Sequence, residues 1–306
     1  MPGGSESRWG TSRGTVYLVD ASIYVFRAWF SLPDSITDAA GRPANAVYGW
    51  ANFLIALLES ARPAYIACAF DESLTTSFRN DFYPRYKANR EEAPEELKAQ
   101  FRLCREVARA LGVAEYAHSR FEADDIIGTL AHRLRPKGLR MVFVTGDKDL
   151  AQLVRPGDTW WNYARETRMD YAQVGTHFGV PPELVPDLLA LAGDAVDNIP
   201  GVPGVGMKTA ARLVAERGGV DRLLRDVGAV AGMDMRGAAR VSALLRAHAD
   251  QIRMARRLTA ISTRAPVRAD LRRLRWKGAD AARCRELFER LDPGAARRER
   301  WLALAP

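Results

Sequence analysis

The sequence predicts an α/β fold with a mainly parallel central sheet, followed by a second, helical domain. Three short apolar runs have the length and the β-branched or aromatic content of buried strands: 15–20, 64–71 and 139–147. Helical patterns separate these runs, and strands that alternate with helices are typical of a parallel sheet covered on both faces. After about residue 181 the pattern is helical throughout, with Gly and Pro between the segments. The predicted organisation is a loose tail (1–13), an α/β domain (14–180) and a helical domain (181–306).

Apolar residues at helical spacing predict the helices between the strands. These helices are expected at 45–60, 94–112 and 122–138. The second of them opens with Pro94 and acidic residues and closes with Gly112, which are start and stop signals. Further helices are expected at 182–193, 208–219, 221–228, 238–261 and 282–291, and the segment 267–278 is compatible with a strand.

The composition indicates a globular protein. The 306 residues are 47% hydrophobic and 27% charged, which leaves room for a core. No apolar run approaches the roughly 20 residues of a membrane span, and residues 1–13 lack the apolar stretch of a signal peptide. The three cysteines are scattered, which predicts reduced thiols in a cytoplasm.

Charge is divided unevenly along the chain. Residues 201–306 contain 23 basic and 11 acidic residues (+12), whereas residues 1–200 contain 22 and 26 (−4). A basic half beside an acidic half suggests a polyanion partner for the first and a metal for the second. The alternative is that Arg is simply abundant in this sequence.

All three predicted strands end in aspartate: Asp20, Asp71 and Asp147. Ligands of open α/β sheets bind outside the carboxyl ends of the strands. Two charges about 4 Å apart repel by roughly 4 kcal/mol at an effective dielectric near 20, and a cation would relieve that repulsion. A single Asp after a strand is usually a turn residue or a helix cap, but three of three favour a site.

Six more acids stand in short clusters, and the complete set of candidate metal ligands is Asp20, Asp71, Glu122, Asp124, Asp125, Asp147, Asp149, Asp194 and Asp197. Asp124 and Asp125 open a helix, where capping is the alternative explanation. Asp194 and Asp197, three residues apart, are expected to share a helix face and to reach one ion. The set is all oxygen, which suits Mg²⁺ or Mn²⁺, and it is large enough for two ions.

The segment 77–97 interleaves cations with aromatic rings: Arg79, Phe82, Tyr83, Arg85, Tyr86, Lys87 and Arg90. This pattern suits single-stranded nucleic acid, because cations meet phosphates and rings stack on bases. The segment is long for a connection in a compact fold, which suggests a functional lid or gate. The alternative is an exposed amphipathic helix with core aromatics.

The loop "IPGVPGVGMKT" (199–209) resembles the Gly-hinged turn of a helix-hairpin-helix element. Its glycines would let the backbone approach a phosphate, and the next helix would point its N-terminus at it, with Lys208 adding charge. Such a loop would bind the phosphate backbone of a nucleic acid without recognising its base sequence. The alternative is a plain connection between helices.

The chain resembles the 5′-nuclease superfamily of 5′–3′ exonucleases and flap endonucleases, in its bacterial and phage form. The matching stretches occur in family order over about residues 15–215: "LVDASIYVFRAW", "AFDESLTTSFRNDFYPRYKANR", "FEADDIIGTLA", "VTGDKDLAQLV" and "LAGDAVDNIPGVPGVGMKTA". The resemblance implies a PIN-like α/β domain with a helical arch (about 72–112). It also implies a helix-three-turn-helix domain for duplex DNA, with a C-terminal segment that packs back on the catalytic domain.

The resemblance also assigns roles by position. The nine acids match the family's metal ligands, and Lys87, Arg90 and Tyr86 match arch residues that act at the scissile phosphate or stack on the base beside it. The DNA contacts it implies are Arg79, Arg85, Gly201, Val202, Gly204, Gly206, Lys208 and Thr209. A K⁺ ion held by loop carbonyls at 201–206 belongs to the same expectation. Some standalone members have lost part of the last acidic pair, whereas this chain keeps every position.

The sequence therefore predicts a standalone, monomeric, metal-dependent 5′-nuclease that hydrolyses DNA at 5′ ends, nicks and flaps, with RNA primers in hybrid duplexes as further substrates. Two alternatives stay open. One is a protein that binds DNA junctions without cutting them, and the other is a PIN-like ribonuclease.

Overall fold

The computed structural model describes residues 14–72 and 76–306, so the predicted tail (1–13) lies outside the described residues. A six-stranded sheet forms the centre of the α/β part. Its strands are β1 (Thr15–Asp20), β2 (Tyr65–Asp71), β3 (Ala114–His118), β4 (Arg140–Val144), β5 (Thr159–Asn162) and β6 (Thr167–Met169). Their order across the sheet is β3-β2-β1-β4-β5-β6.

The sheet is parallel except for β6, which pairs antiparallel with β5. The three predicted strands are confirmed and lie side by side at its centre, with Val19 opposite Cys68 on one side and Val144 on the other. Because their registers agree, their carboxyl ends meet at one edge of the sheet. Strands β3, β5 and β6 were not predicted from the sequence.

In the described part of the chain, thirteen helices surround the sheet or follow it. In the first part they are α1 (Ala21–Ser31), α2 (Asn45–Ala61), α3 (Glu95–Ala110), α4 (Ala123–Leu134) and α5 (Tyr171–Phe178). In the second part they are α6 (Val185–Ala192), α7 (Met207–Arg217), α8 (Val220–Arg225), α9 (Ala238–Ala247), α10 (Ala249–Thr259), α11 (Leu271–Leu274), α12 (Ala281–Leu291) and α13 (Ala295–Leu302).

Three details differ from the sequence-based expectations. Helices α1, α5 and α13 were not predicted. The segment 238–261 is two helices, because the backbone of His248 leaves the helical region between α9 and α10. The segment 267–278 holds the short helix α11 and one isolated bridge, Tyr65 to Arg275, rather than a strand.

The core has three parts. Helices α1, α2, α3 and α12 bury aromatic and aliphatic side chains against one face of the sheet, where Trp50 and Phe70 are fully buried. Helix α4 covers the other face with Ile126 and Leu130. A third cluster belongs to helices α6–α10. Helices α12 and α13 thus return to the α/β part, since Trp301 packs in the first cluster.

The segment between β2 and α3 carries the predicted basic and aromatic residues. Among its described residues it forms one short 3₁₀ helix, Phe78–Asp81, followed by turns, and α-helical structure begins only at Glu95. We refer to residues 78–90 as the strap. The strap is therefore not the exposed amphipathic helix that was the alternative explanation. Within the described chain, no helix combines the length and the apolar character that crossing a membrane requires.

Candidate active site

The strand-end acids meet at the carboxyl edge of β1, β2 and β4. Asp20 ends β1, Asp71 ends β2, and Asp147 follows β4 after a two-residue turn. The hydroxyl of Thr145 donates to Oδ2 of Asp20 (2.9 Å) and accepts the backbone N–H of Asp147 (2.9 Å). One threonine thus fixes two of the acids relative to each other, because it bonds to both.

Helix α4 points its N-terminus at the same edge. The backbone N–H of Ala123 donates to Oδ1 of Asp71 (2.8 Å), and the backbone N–H of Asp149 donates to Oδ1 of Asp147 (2.9 Å). A carboxylate is stabilised at a helix N-terminus by the exposed N–H groups and the helix dipole. The fold therefore holds negative charge at this edge with backbone donors as well as with side chains.

The acids repel one another strongly. Burial raises the pKa of Asp20 to about 8, and repulsion from Asp147 and Asp71 contributes. Burial also raises the pKa of Asp149 to about 8, with Asp147 again the largest repelling neighbour. The pKa of Asp124 lies well above its ordinary value, from burial first and then from Asp147 and Asp20. Clustered carboxylates with raised pKa values, brought about by burial and mutual repulsion, are typical of functional sites.

The donor set fits divalent cations. One oxygen of Asp149, Oδ1, is buried and accepts no hydrogen bond, and a buried unsatisfied acceptor is costly unless a cation binds it. Carboxylate oxygens are the ligands that Mg²⁺ and Mn²⁺ prefer. Across residues 14–72 and 76–306, however, no three acidic, His or Cys side chains form a ready-made metal-binding group.

Basic side chains of the strap occupy one side of the acidic cluster. Nζ of Lys87 donates to Oε1 of Glu122 (2.8 Å), and a guanidinium nitrogen of Arg90 lies 2.5 Å from Oδ1 of Asp197. Burial would raise the pKa of Glu122, but Lys87 and Arg79 outweigh it and lower that pKa. Lys87 has a backbone φ of +56°, a left-handed conformation that a lysine rarely adopts and that functional sites often contain.

Tyr86 is part of this contact rather than a free ring. It is 4% exposed and packs with the third core cluster. Its hydroxyl donates to Oε2 of Glu122 (3.0 Å) and lies 3.2 Å from Oδ2 of Asp197. Stacking on a base, as the family resemblance implies, would require this side chain to leave its buried position.

The last acidic pair lies in a tight loop, not on a helix. Helix α6 ends at Ala192, and Asp194 and Ile199 then exchange two backbone hydrogen bonds (2.9 and 2.8 Å). The prediction of a shared helix face for Asp194 and Asp197 was therefore wrong. Gly193, with a φ of +79°, ends α6 before Asp194, and residues 195–198 then form a turn. Both carboxylates nevertheless point to cations, Lys148 for Asp194 and Arg90 for Asp197.

Asp125 and Arg79 form a structural pair, contrary to their predicted roles in metal and DNA binding. Arg79 is 2% exposed and donates to both oxygens of Asp125 (2.8 and 2.9 Å). It also donates to the backbone carbonyls of Leu258 and Ala260 at the end of α10. Asp125 is fully buried and accepts two backbone N–H groups as well, from Glu122 and Ser262. Neither side chain is free for a metal or a phosphate in this conformation.

The turn between α6 and α7 divides into a packed half and an open half. A Cβ on Gly201 would lie 2.4 Å from the backbone of Ala192, and Val202 is buried and donates its N–H to Leu191. By contrast, nothing lies within 4 Å of a Cβ built on Gly204 (φ +78°) or Gly206.

Gly206 is the N-cap of α7, and Lys208 and Thr209 stand in the first turn of that helix, where Lys208 is exposed. Arg85, on the strap, is also exposed. These groups are therefore open to a ligand, whereas Gly201 and Val202 serve packing.

Sequence reasoning missed one cation at the centre of the site. Lys148 stands between Asp147 and Asp149, and its Nζ lies 2.6 Å from Oδ2 of Asp194. Burial would lower the pKa of Lys148, but Asp149 and Asp194 outweigh it and raise that pKa. Its place between two candidate ligands in "GDKD" was the available signal.

Two consecutive stretches match known domain families. Residues 15–179 match the N-terminal resolvase-like domain of 5′–3′ exonucleases, and residues 180–282 match their C-terminal SAM-fold domain. Among curated proteins, the chain is 38% identical over 294 residues to DNA polymerase I of Mycobacterium leprae, covering 94% of this chain and 31% of the relative. It is 40% identical over 263 residues to DNA polymerase I of Rhizobium leguminosarum, covering 84% and 25%. The chain thus spans only a quarter to a third of these relatives.

Solved structures share the fold. A zinc-bound T5 5′-exonuclease aligns with a TM-score of 0.65 at 19% identity, covering 81% of this chain and 90% of that one. The catalytic core of Rad2 in complex with DNA substrate aligns with a TM-score of 0.61 at 15% identity, covering 91% and 88%. Since both domain matches occur in order and together span residues 15–282, the chain belongs to the 5′–3′ exonuclease family.

Proposed function

We propose that this protein is a divalent-metal-dependent 5′-nuclease that hydrolyses DNA at 5′ ends, nicks and 5′ flaps, leaving 5′-phosphate and 3′-hydroxyl ends. The observation that carries the proposal is the buried cluster of mutually repelling carboxylates, with raised pKa values for Asp20 and Asp149, beside the cationic Lys87 and Arg90. Family membership and the DNA substrate bound to the Rad2 core support it.

Eight carboxylates are proposed to hold the ions: Asp20, Asp71, Glu122, Asp124, Asp147, Asp149, Asp194 and Asp197. Mg²⁺ or Mn²⁺, when bound, would supply Lewis-acid activation of water and stabilisation of the leaving oxygen, and two ions would serve both. The zinc in the T5 relative supports a divalent site. Asp125 is left out of this set because Arg79 already uses both of its oxygens.

Lys87 and Arg90 are proposed to stabilise the charge that develops on the scissile phosphate. In the DNA-free conformation their cations are bound to Glu122 and Asp197. With divalent cations held by Glu122 and Asp197 instead, the Lys87 and Arg90 side chains would be free to turn towards a phosphate oxygen. Preorganised cations at developing charge contribute about 10²–10³ in rate. Tyr86 is proposed to position Glu122 and Asp197 through its hydroxyl.

The duplex part of the substrate is proposed to bind at the turn before α7. Gly204 and Gly206 leave the backbone open, and Lys208 adds a charge at the N-terminus of an eleven-residue helix, an arrangement that attracts phosphate. Arg85 on the strap is proposed to contact the single-stranded part. Carbonyls of residues 201–206 are proposed to hold a K⁺ ion, and the protein is proposed to act as a monomer.

A single assay tests the proposal against its two rivals. A 5′-flap duplex labelled at either end is incubated with the protein in Mg²⁺ and in EDTA, beside matched substrates with an RNA flap, with an RNA primer in a hybrid duplex and with blunt ends. Mg²⁺-dependent release of the flap or of short 5′ products supports the 5′-nuclease, and cleavage of the primer would extend it to hybrid duplexes. Tight binding without cleavage in Mg²⁺ or Mn²⁺ supports the junction-binding protein, and exclusive cleavage of the RNA flap supports the ribonuclease.

A further inference from the structure

Lys148 connects two parts of the acidic cluster that the chain brings together from distant positions. It is the N-cap of the 3₁₀ helix Asp149–Leu153. Its Nζ lies 2.6 Å from Oδ2 of Asp194 and 3.6 Å from Oδ1 of Asp149. The Asp194 and Asp149 side chains are 6% and 14% exposed, whereas that of Lys148 is 41% exposed. The ammonium group therefore reaches in from solvent to two buried carboxylates.

The oxygens that Lys148 contacts are the ones that a metal ion would need. Oδ1 of Asp194 already accepts the backbone N–H of Val196 (2.9 Å), so Oδ2 is the oxygen available to a cation. Oδ1 of Asp149 has no hydrogen-bond partner. An ammonium group and a divalent ion compete for the same lone pairs, because each needs them directed at itself. An ion bound to both oxygens thus requires Lys148 to leave.

We propose that Lys148 is an internal competitor of the divalent cation: it occupies the position between Asp149 and Asp194 in the metal-free protein and is displaced when an ion binds there. The inference rests on the proposed metal-dependent function. It assigns Lys148 a positioning role, because it neutralises and spaces these two carboxylates before metal arrives. It also predicts that the ion at this position binds more weakly than its carboxylates alone would allow.

The ammonium group of Lys148, once displaced, can move into solvent beside an open cavity. Lys148 lines an open cavity of about 570 Å³, together with Arg27, Arg165 and Trp160. None of the lining residues is acidic. No carboxylate in that cavity therefore holds the ammonium away from Asp194 in the metal-free protein, and solvent receives it when an ion binds.

The test is Mn²⁺ binding to the DNA-free protein, measured by the electron paramagnetic resonance signal of free Mn²⁺. Lys148→Met removes the ammonium and keeps much of the side-chain volume. Lys98→Met is the matched control, because Lys98 also pairs with two carboxylates, Glu92 and Glu95, but on the surface. Both variants lose one positive charge. We expect the weakest Mn²⁺ site to tighten about tenfold, which corresponds to about 1.4 kcal/mol, in Lys148→Met only.

The possible outcomes distinguish the inference about Lys148 from the proposed nuclease function. Equal or weaker Mn²⁺ affinity in Lys148→Met overturns the inference while leaving the metal-dependent nuclease intact. Equal tightening in Lys98→Met also overturns it, because a general charge effect would then suffice. Failure of every protein to bind Mn²⁺ contradicts the proposed function itself.

A measurement on the wild type covers the case in which Lys148→Met does not fold. The chain has six lysines, so the ¹³Cε signals of lysine-labelled protein can be followed in a Mg²⁺ titration, with Lys148→Arg giving the assignment. The Lys148 signal should shift in step with Mg²⁺ binding while that of Lys98 stays. A stationary Lys148 signal at saturating Mg²⁺ would rule out displacement.

Discussion

The repulsion within the acidic cluster predicts that removing one of its charges stabilises the metal-free protein. In Asp149→Asn the buried side chain keeps its shape and loses its charge. The pKa of Asp149 is about 8 in the folded protein, against 3.8 as its ordinary value. Because the folded pKa is raised, the folded state binds more protons than the unfolded state between these values. The free energy of unfolding of the wild type therefore falls as pH rises through this window.

The size of the effect follows from the shift. Each pH unit inside the window lowers the free energy of unfolding by about 1.4 kcal/mol for one such group. From about pH 5 to about pH 8 the upper limit is about 4 kcal/mol for Asp149. Protonation of neighbouring acids and solvent entry reduce it, and we expect a net advantage of at least about 1 kcal/mol for the variant at pH 8, or about 2–4 °C in Tm.

The assay is thermal and urea unfolding in EDTA at both pH values, followed by circular dichroism. Asp158→Asn is the matched control, because Asp158 is a buried carboxylate whose oxygens are satisfied by Arg135 and by the N–H groups of Met141 and Arg155. That variant should lose about 2 kcal/mol at both pH values. If Asp149→Asn were destabilised as much as Asp158→Asn, or if its advantage did not grow with pH, the assignment of Asp149 to a repelling cluster would be refuted.

Three further variants, one of them with a surface control, test the Arg79–Asp125 pair, the role of Lys87 and the turn before α7. Arg79→Ala should lower the free energy of unfolding, measured in urea titrations, by about 3–5 kcal/mol, because it leaves Asp125 buried and unpaired. Arg85→Ala is the control: Arg85 is exposed, so its replacement should change the free energy of unfolding by less than about 0.5 kcal/mol. Lys87→Ala should slow single-turnover cleavage by about 10²–10³ with duplex affinity unchanged. Gly204→Ala should weaken duplex binding in a gel-shift titration, because alanine strains the left-handed backbone and covers the open turn; equal affinity would remove Gly204 from the interface.

The centre of the fold could be predicted from the sequence because its strands are continuous apolar runs buried on both faces. Strand β3 could not, since "AEYAH" carries Glu115 and His118 at an edge, where Glu115 is held by Arg105 and Arg109. Strands β5 and β6 have only four and three residues, too few to show a clear alternation, and the Trp161–Arg168 contact across the two strands is visible only in the structure.

The sequence predicts a site residue correctly where its place at the end of a strand or in a loop is enough to indicate its role. The strand-end acids come together because the parallel sheet aligns their strands. The role of Asp125 could not be predicted, because its partner Arg79 is 46 residues away and equally resembles a DNA contact. The role of Tyr86 could not be predicted either. Only its burial in the structure distinguishes a ring that packs in the core from one that stacks on a base.

The most direct test of the central claim compares wild type with Asp147→Asn on a labelled 5′-flap duplex in Mg²⁺, under single-turnover conditions, with duplex affinity measured in parallel. Asp147 is at the centre of the repulsion that raises the pKa of Asp20, Asp124 and Asp149. We expect cleavage to be abolished in the variant while duplex binding is largely retained. Cleavage by Asp147→Asn at the wild-type rate would contradict the assignment of this acidic cluster as the metal-dependent catalytic centre.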